Sequence, residues 1–116
     1  MLPNVRASVA YIAGCMVSGT DSSHVYDYSL GRHIIMSGSV DRDSVSVYDD
    51  EQNCHITGGG SSFYHHGERC HISLSVAKTS FSGYDYGSNA HFSGNVSGTS
   101  VSLFDYEHGQ YFNYMV

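Results

Sequence analysis

The sequence predicts an all-β domain: an antiparallel meander of tandem hairpin repeats that closes into a barrel or packs as a two-sheet sandwich. Three observations predict it. The first is an internal repeat. Tyr26, Tyr48, Tyr64, Tyr84 and Phe104 are each followed, seven residues on, by His33, His55, His71, His91 and Tyr111. The spacings (48 − 26 = 22, 64 − 48 = 16, 84 − 64 = 20, 104 − 84 = 20) give a period near 20 residues, a supersecondary unit that must stack on its neighbours to bury a face. The second is composition. The chain has 13 Gly and one Pro, with abundant Ser, Val and Tyr and few Leu, Ala, Glu or Lys. β-branched and aromatic residues fit a pleated surface. The third is punctuation by four-residue polar turns, which suit hairpin loops. The alternative is a β-solenoid of 20-residue coils, but such turns at both ends of the strands favour hairpins.

Taken in order, residues 1–4 with Pro3 read as a lead-in. Val5 to Val17 is assigned one or two strands, because no helical stripe longer than two turns is visible. Val17-Ser18-Gly19-Thr20 also matches Val96-Ser97-Gly98-Thr99, which places the segment in the repeat. Ile12-Ala13-Gly14-Cys15 has the look of a lipoprotein cleavage box, but the apolar run Ala7 to Tyr11 is broken by Ser8 and is shorter than the ~7–15 residues of a signal core. From Ser18 onward the pattern is turn, strand, turn, strand. Six-residue strands are expected at 45–50, 71–76, 81–86, 91–96, 101–106 and 111–116, with a shorter one at 55–59. One set of turns is 29–32, 51–54, 67–70, 87–90 and 107–110; the other is 41–44, 77–80 and 97–100. The whole of 1–116 reads as one domain of about ten strands.

Side chains alternate along a strand, so register sorts them into two faces. One is aliphatic: Val40, Val45, Val47, Ile56, Ile72, Leu74, Val76, Phe92, Val96, Val101 and Leu103. It is the natural core. The other is Ser, Tyr and His. Asp27, Asp49, Asp85 and Asp105 fall at strand ends on the aliphatic side, where a carboxylate caps turn N–H groups.

Charge bounds the partners. The formal net charge is −6 with only five Lys plus Arg, so neither nucleic acid nor an anionic membrane surface is an expected partner. No apolar run approaches the ~20 residues of a membrane helix. Three cysteines, Cys15, Cys54 and Cys70, are an odd set and read as free thiols. The expected setting is therefore cytoplasmic, with a surface or secreted setting as the alternative.

Carrying four-residue loops through the register puts Tyr28, His33, Asp50, His55, His66, His71, Tyr86, His91, Tyr106 and Tyr111 in one row. His55, His66 and His71 would then be adjacent imidazoles with Asp50 beside them. Three such ligands with an open fourth position describe a site for Zn²⁺ or another divalent transition metal. The recurrence of His at one repeat position has a simpler cause, a duplicated cross-strand Tyr/His packing pair. A second row, Tyr48, Thr57, Tyr64, Ser73, Tyr84, Ser93, Phe104 and Asn113, alternates aromatics with small polar residues. The expected binding face is Tyr28, Tyr48, Tyr64, Tyr84, Tyr86, His91, Phe104 and Tyr106. Its expected partner is another copy of the chain or another protein, with a glycan as a further candidate. No catalytic motif appears: there is no G-x-S-x-G, and Gly58-Gly59-Gly60 is not expected to open a helix. The sequence thus points to a non-catalytic binding or self-assembly module without a cofactor, or alternatively to a small metal-binding protein.

Overall fold

A computed structural model describes residues 1–59 and 61–116. Among the described residues the chain forms one helix and ten strands. They are α1 (Pro3–Ser18), β1 (His24–Asp27), β2 (Arg32–Val40), β3 (Val45–Asp49), β4 (Cys54–Gly59), β5 (Ser62–His65), β6 (Cys70–Ala77), β7 (Ser80–Asp85), β8 (Ala90–Ser97), β9 (Ser100–Asp105) and β10 (Gln110–Met115). Each strand pairs antiparallel with its neighbours in sequence, and β1 also pairs with β10, so the meander closes into a barrel. Closure satisfies the edge N–H and C=O groups that an open meander would leave unpaired. No helix of the described residues is long and apolar enough to cross a membrane.

The expected aliphatic face lines the lumen. Ile56, Ile72, Leu103, Phe92, Val96 and Val101 are buried, and Val40 and Val76 are partly buried against the same core. The lumen also holds α1, which corrects the assignment of strands to Val5–Val17. Every residue from Val5 to Cys15 is buried. A helix apolar on all sides has no stripe, because every side faces a wall. Pro3 sits in the first turn, where its missing N–H costs nothing. Gly19 ends the helix in the left-handed conformation (φ 71°), and its N–H donates to Cys15 O at 2.9 Å. Ala7, Ala10, Ala13 and Gly14 keep the helix thin enough for its sleeve. A Cβ on Gly14 would stand 2.8 Å from Val101 Cγ2 and 2.9 Å from Val116 Cγ1. The Tyr11 hydroxyl donates to Ser22 O, tying the helix to the segment that leads into β1.

Among the described residues, β1, β2, β6, β8, β9 and β10 pack most closely on the helix. On the inner wall, two glycines lie under phenylalanine rings of the neighbouring strand. Gly83 lies opposite Phe92, and Gly94 opposite Phe81. A Cβ on Gly83 would meet Ser73 O at 1.9 Å and Phe92 Cζ at 2.5 Å. Glycine where another residue's ring approaches this closely leaves the room that a tightly curved sheet needs.

Candidate functional site

Two places on the barrel concentrate polar chemistry: the rim at the helix N-terminus, and the outer wall.

The rim repeats one device five times. The inward residue before each loop is Asp27, Asp49, His65, Asp85 or Asp105, and all are buried. Asp27 Oδ1 accepts from Ser29 N (2.9 Å) and Leu30 N (3.2 Å). Asp49 Oδ1 accepts from Glu51 N (3.0 Å) and Gln52 N (3.1 Å). Asp85 Oδ1 accepts from Gly87 N (2.9 Å), and Asp105 Oδ1 from Glu107 N (3.0 Å). His65 Nδ1 does the same for Glu68 N at 3.0 Å. The aspartates are turn caps, as their strand-end positions implied.

These caps also set the register, two residues away from the one that the polar turns imply. Each loop starts one residue earlier than its polar residues suggest, so it runs from the residue after the cap. Its fourth residue is left-handed: Gly31, Asn53, Arg69, Asn89 or Gly109, with φ between 52° and 68°. The cross-strand partners are therefore Tyr26–His33, Tyr48–His55, Tyr64–His71, Tyr84–His91 and Phe104–Tyr111. They are not Tyr28–His33, Asp50–His55, His66–His71, Tyr86–His91 and Tyr106–Tyr111. At the opposite barrel end the expected register is the one found, with Val96 facing Val101, Gly94 facing Leu103 and Val40 facing Val45.

The two-residue slip changes the geometry of the His cluster. His55 and His66 do lie side by side, with His66 N–H donating to His55 O at 2.9 Å. His71, however, faces Tyr64, whose ring stands edge-on to His66 (centroids 4.9 Å) and to His71 (4.8 Å). His66 Nε2 bonds Thr57 Oγ1 at 2.8 Å. Asp50 is the first residue of its loop. Among the described residues, the group of three whose ligand atoms all lie within 4.8 Å is Asp105, Glu107 and His108. That group is already matched by cations. Asp105 Oδ2 lies 3.1 Å from Arg6 Nη1, 2.8 Å from His108 Nδ1 and 3.4 Å from the Met1 ammonium. Burial pushes the Asp105 carboxyl up, but the His108 hydrogen bond, the Met1 charge and the Glu107 N–H outweigh it and hold it below the usual carboxylate range.

The outer wall carries the Tyr/His face. Five three-ring or ring-and-carboxylate clusters circle it: Tyr26/Tyr28/His33, Tyr48/Asp50/His55, Tyr64/His66/His71, Tyr84/Tyr86/His91 and Phe104/Tyr106/Tyr111. In each, the central aromatic is half-buried, with the ring of its cross-strand partner edge-on against it. Tyr84 meets Tyr86 at 4.8 Å and His91 at 4.7 Å, both edge-on; Phe104 meets Tyr106 and Tyr111 at 4.8 Å each. Edge-to-face contacts of this kind are favourable beyond their buried area. The flanking rings stay open to solvent: Tyr28 is 54% exposed, Tyr86 58%, Tyr106 56% and Tyr111 65%. Between the clusters runs a groove of about 720 Å³ over β6–β8, with Ser75, Ser82 and Ser93 along it and Tyr84, His91 and Tyr106 at its side. Among the described residues no charged side chain lines it.

Comparison with known proteins gives no match: no protein-family model, no curated protein and no solved structure is significantly similar to this chain. The site rests on its own geometry.

Sequence reasoning had named the wall residues individually. It missed Arg6 and Tyr114, which join at the rim through Arg6 Nε to the Tyr114 hydroxyl at 3.1 Å. The available signal was Arg6 itself, the single charge in an apolar stretch.

Proposed function

We propose that this chain is a non-catalytic binding module that works through its outer wall, docking a second copy of itself on the Tyr/His belt. One observation carries the reading. The lumen of a barrel this size is the usual place for a ligand, and here the chain's own helix fills it, while the outside carries repeated exposed aromatic clusters. Aromatic surface at that density is characteristic of contact surfaces. Tyrosine supplies large contact area with few rotors to immobilise. The belt is nearly uncharged, so two copies meet there without like-charge repulsion despite the net charge of −6. Among the described residues closure of the barrel leaves no free strand edge for strand addition, so side-chain contact is the route.

The test is sedimentation velocity over a wide concentration range, with Tyr86→Ser/Tyr106→Ser as the comparison. The expected result is a concentration-dependent dimer or higher species that the double variant weakens by at least tenfold. A species that stays monomeric at every concentration contradicts self-docking. If it then shows saccharide-dependent amide shifts around Tyr84, His91 and Ser93, the wall is a glycan surface instead.

A further inference from the structure

The repeat supplies an internal standard for what each outer-wall position needs for packing. Two residues before the central aromatic of each repeat stand His24, Ser46, Ser62, Ser82 and Ser102. Four repeats use serine; the first uses histidine. The cross-strand partner His33 is explained by packing, because His recurs at that position as His55, His71 and His91. His24 is not explained so.

What His24 does is place a second imidazole against His33. The two sit on β1 and β2, diagonal to each other, since His24 pairs with Ile35 and His33 with Tyr26. Their ring centroids are 4.7 Å apart at an interplanar angle of 82°. A divalent metal bound at 2.0–2.1 Å lies roughly 3.2 Å from an imidazole centre, so two imidazoles 90° to 109° apart around one ion have centres about 4.5–5.2 Å apart. The observed spacing falls inside that window. The edge-to-face setting belongs to the metal-free pair. Rotation about χ2, a soft torsion for histidine, turns the face-on ring's nitrogen toward the same point without moving either strand.

We propose that His24 and His33 form a two-imidazole chelate for a divalent transition metal, with Cu²⁺ bound most tightly, ahead of Ni²⁺ and Zn²⁺. Among the described residues no third His, Cys, Asp or Glu completes this pair. The remaining positions fall to water or to a donor from another molecule. The pair sits on the first repeat alone; His33 also belongs to the Tyr/His belt, but the geometry of the pair does not depend on a second copy.

The experiment is Cu²⁺ titration of the whole chain, read by calorimetry and by the nitrogen splitting in the Cu²⁺ EPR spectrum. The expected result is one ion per chain with two equatorial imidazole nitrogens. His24→Ser, which restores the residue of the other four repeats and so leaves the fold intact, weakens binding at least tenfold and leaves a one-nitrogen spectrum. His33→Gln does the same, and His91→Ser leaves binding unchanged. The proposal is overturned if His24→Ser binds copper as the parent does, or if His108→Gln rather than His24→Ser abolishes the site.

Discussion

Arg6 is the cation that holds the helix in its sleeve, and replacing it with methionine tests that directly. Arg6 is buried, only 4% exposed. Nη1 donates to Asp105 Oδ2 at 3.1 Å and to Met1 O at 3.0 Å, Nε donates to the Tyr114 hydroxyl at 3.1 Å, and the guanidinium carbon lies 3.4 Å from the Phe112 ring centre. Arg6→Met keeps most of the apolar volume and deletes the charge. Removing one partner of a buried ion pair costs about 3–5 kcal/mol, because the other charge is left behind. His108 still reaches Asp105 at 2.8 Å from a half-exposed position, so the low end, about 3 kcal/mol, is expected. With a urea m-value of about 1.5 kcal/mol/M for a domain of this size, the midpoint falls by about 2 M. Asp105→Asn in the same background should recover part of the loss, since the stranded charge is gone. A double-mutant cycle read by urea unfolding measures that coupling. A loss under about 1 kcal/mol for Arg6→Met, or strict additivity in the double variant, would refute the claim that this pair locks the helix.

Other outcomes follow from the same geometry. His65 occupies the cap position that Asp holds in the other repeats, and burial pushes its imidazole below the usual histidine range. Below its ordinary pKa the unfolded chain therefore binds a proton that the folded chain refuses, so stability falls as pH drops below about 6.5, by up to about 1.4 kcal/mol per pH unit; in thermal melts at pH 5.5 and 7.5, His65→Asn, which keeps an acceptor for Glu68 N–H, should flatten this slope. Gly83→Ala puts a Cβ 1.9 Å from Ser73 O and should cost about 3 kcal/mol or more, whereas Gly98→Ala, in open space at φ 60°, should cost only about 1–2 kcal/mol in urea unfolding. Cys54 and Cys70 are free and buried, and burial first, then nearby carboxylates, push both thiols up, Cys70 to about 11. Their modification by a disulfide reagent at pH 8 should be slow in the native protein and immediate in denaturant.

Much of this was legible in the sequence, and what was not has a specific cause. Alternation alone sorted Val47, Ile56, Ile72, Leu103 and Phe92 to the core, because a period of two admits only one buried face. Short glycine-bearing turns such as Ser97-Gly98-Thr99-Ser100 fixed their own register. The Asp-capped turns did not, because their bulk polarity starts at the residue the eye takes first. Tyr28 and Tyr86 read as strand residues, yet they open loops whose fourth residue is left-handed. Asn53, Arg69 and Asn89 adopt that conformation without being glycine. The slip of two kept every side chain on its face but moved Tyr64 between His66 and His71, so the expected trio is interleaved with a tyrosine. The helix was hidden for the opposite reason. Amphipathic periodicity reports a helix with one wet side, and α1 has none. Its small residues, Ala7, Ala10, Ala13 and Gly14, were the trace it left, together with Pro3 at its start and Gly19 at its end.

The most direct test of the working surface is a dilution series of amide NMR spectra on the parent chain, from millimolar to micromolar. Self-docking on the belt gives concentration-dependent shifts at Tyr28, Tyr86, Tyr106 and Tyr111 and their cluster partners, with α1 and the lumen residues unmoved. Spectra that do not change with concentration, or changes centred on the helix and the barrel ends, would contradict it.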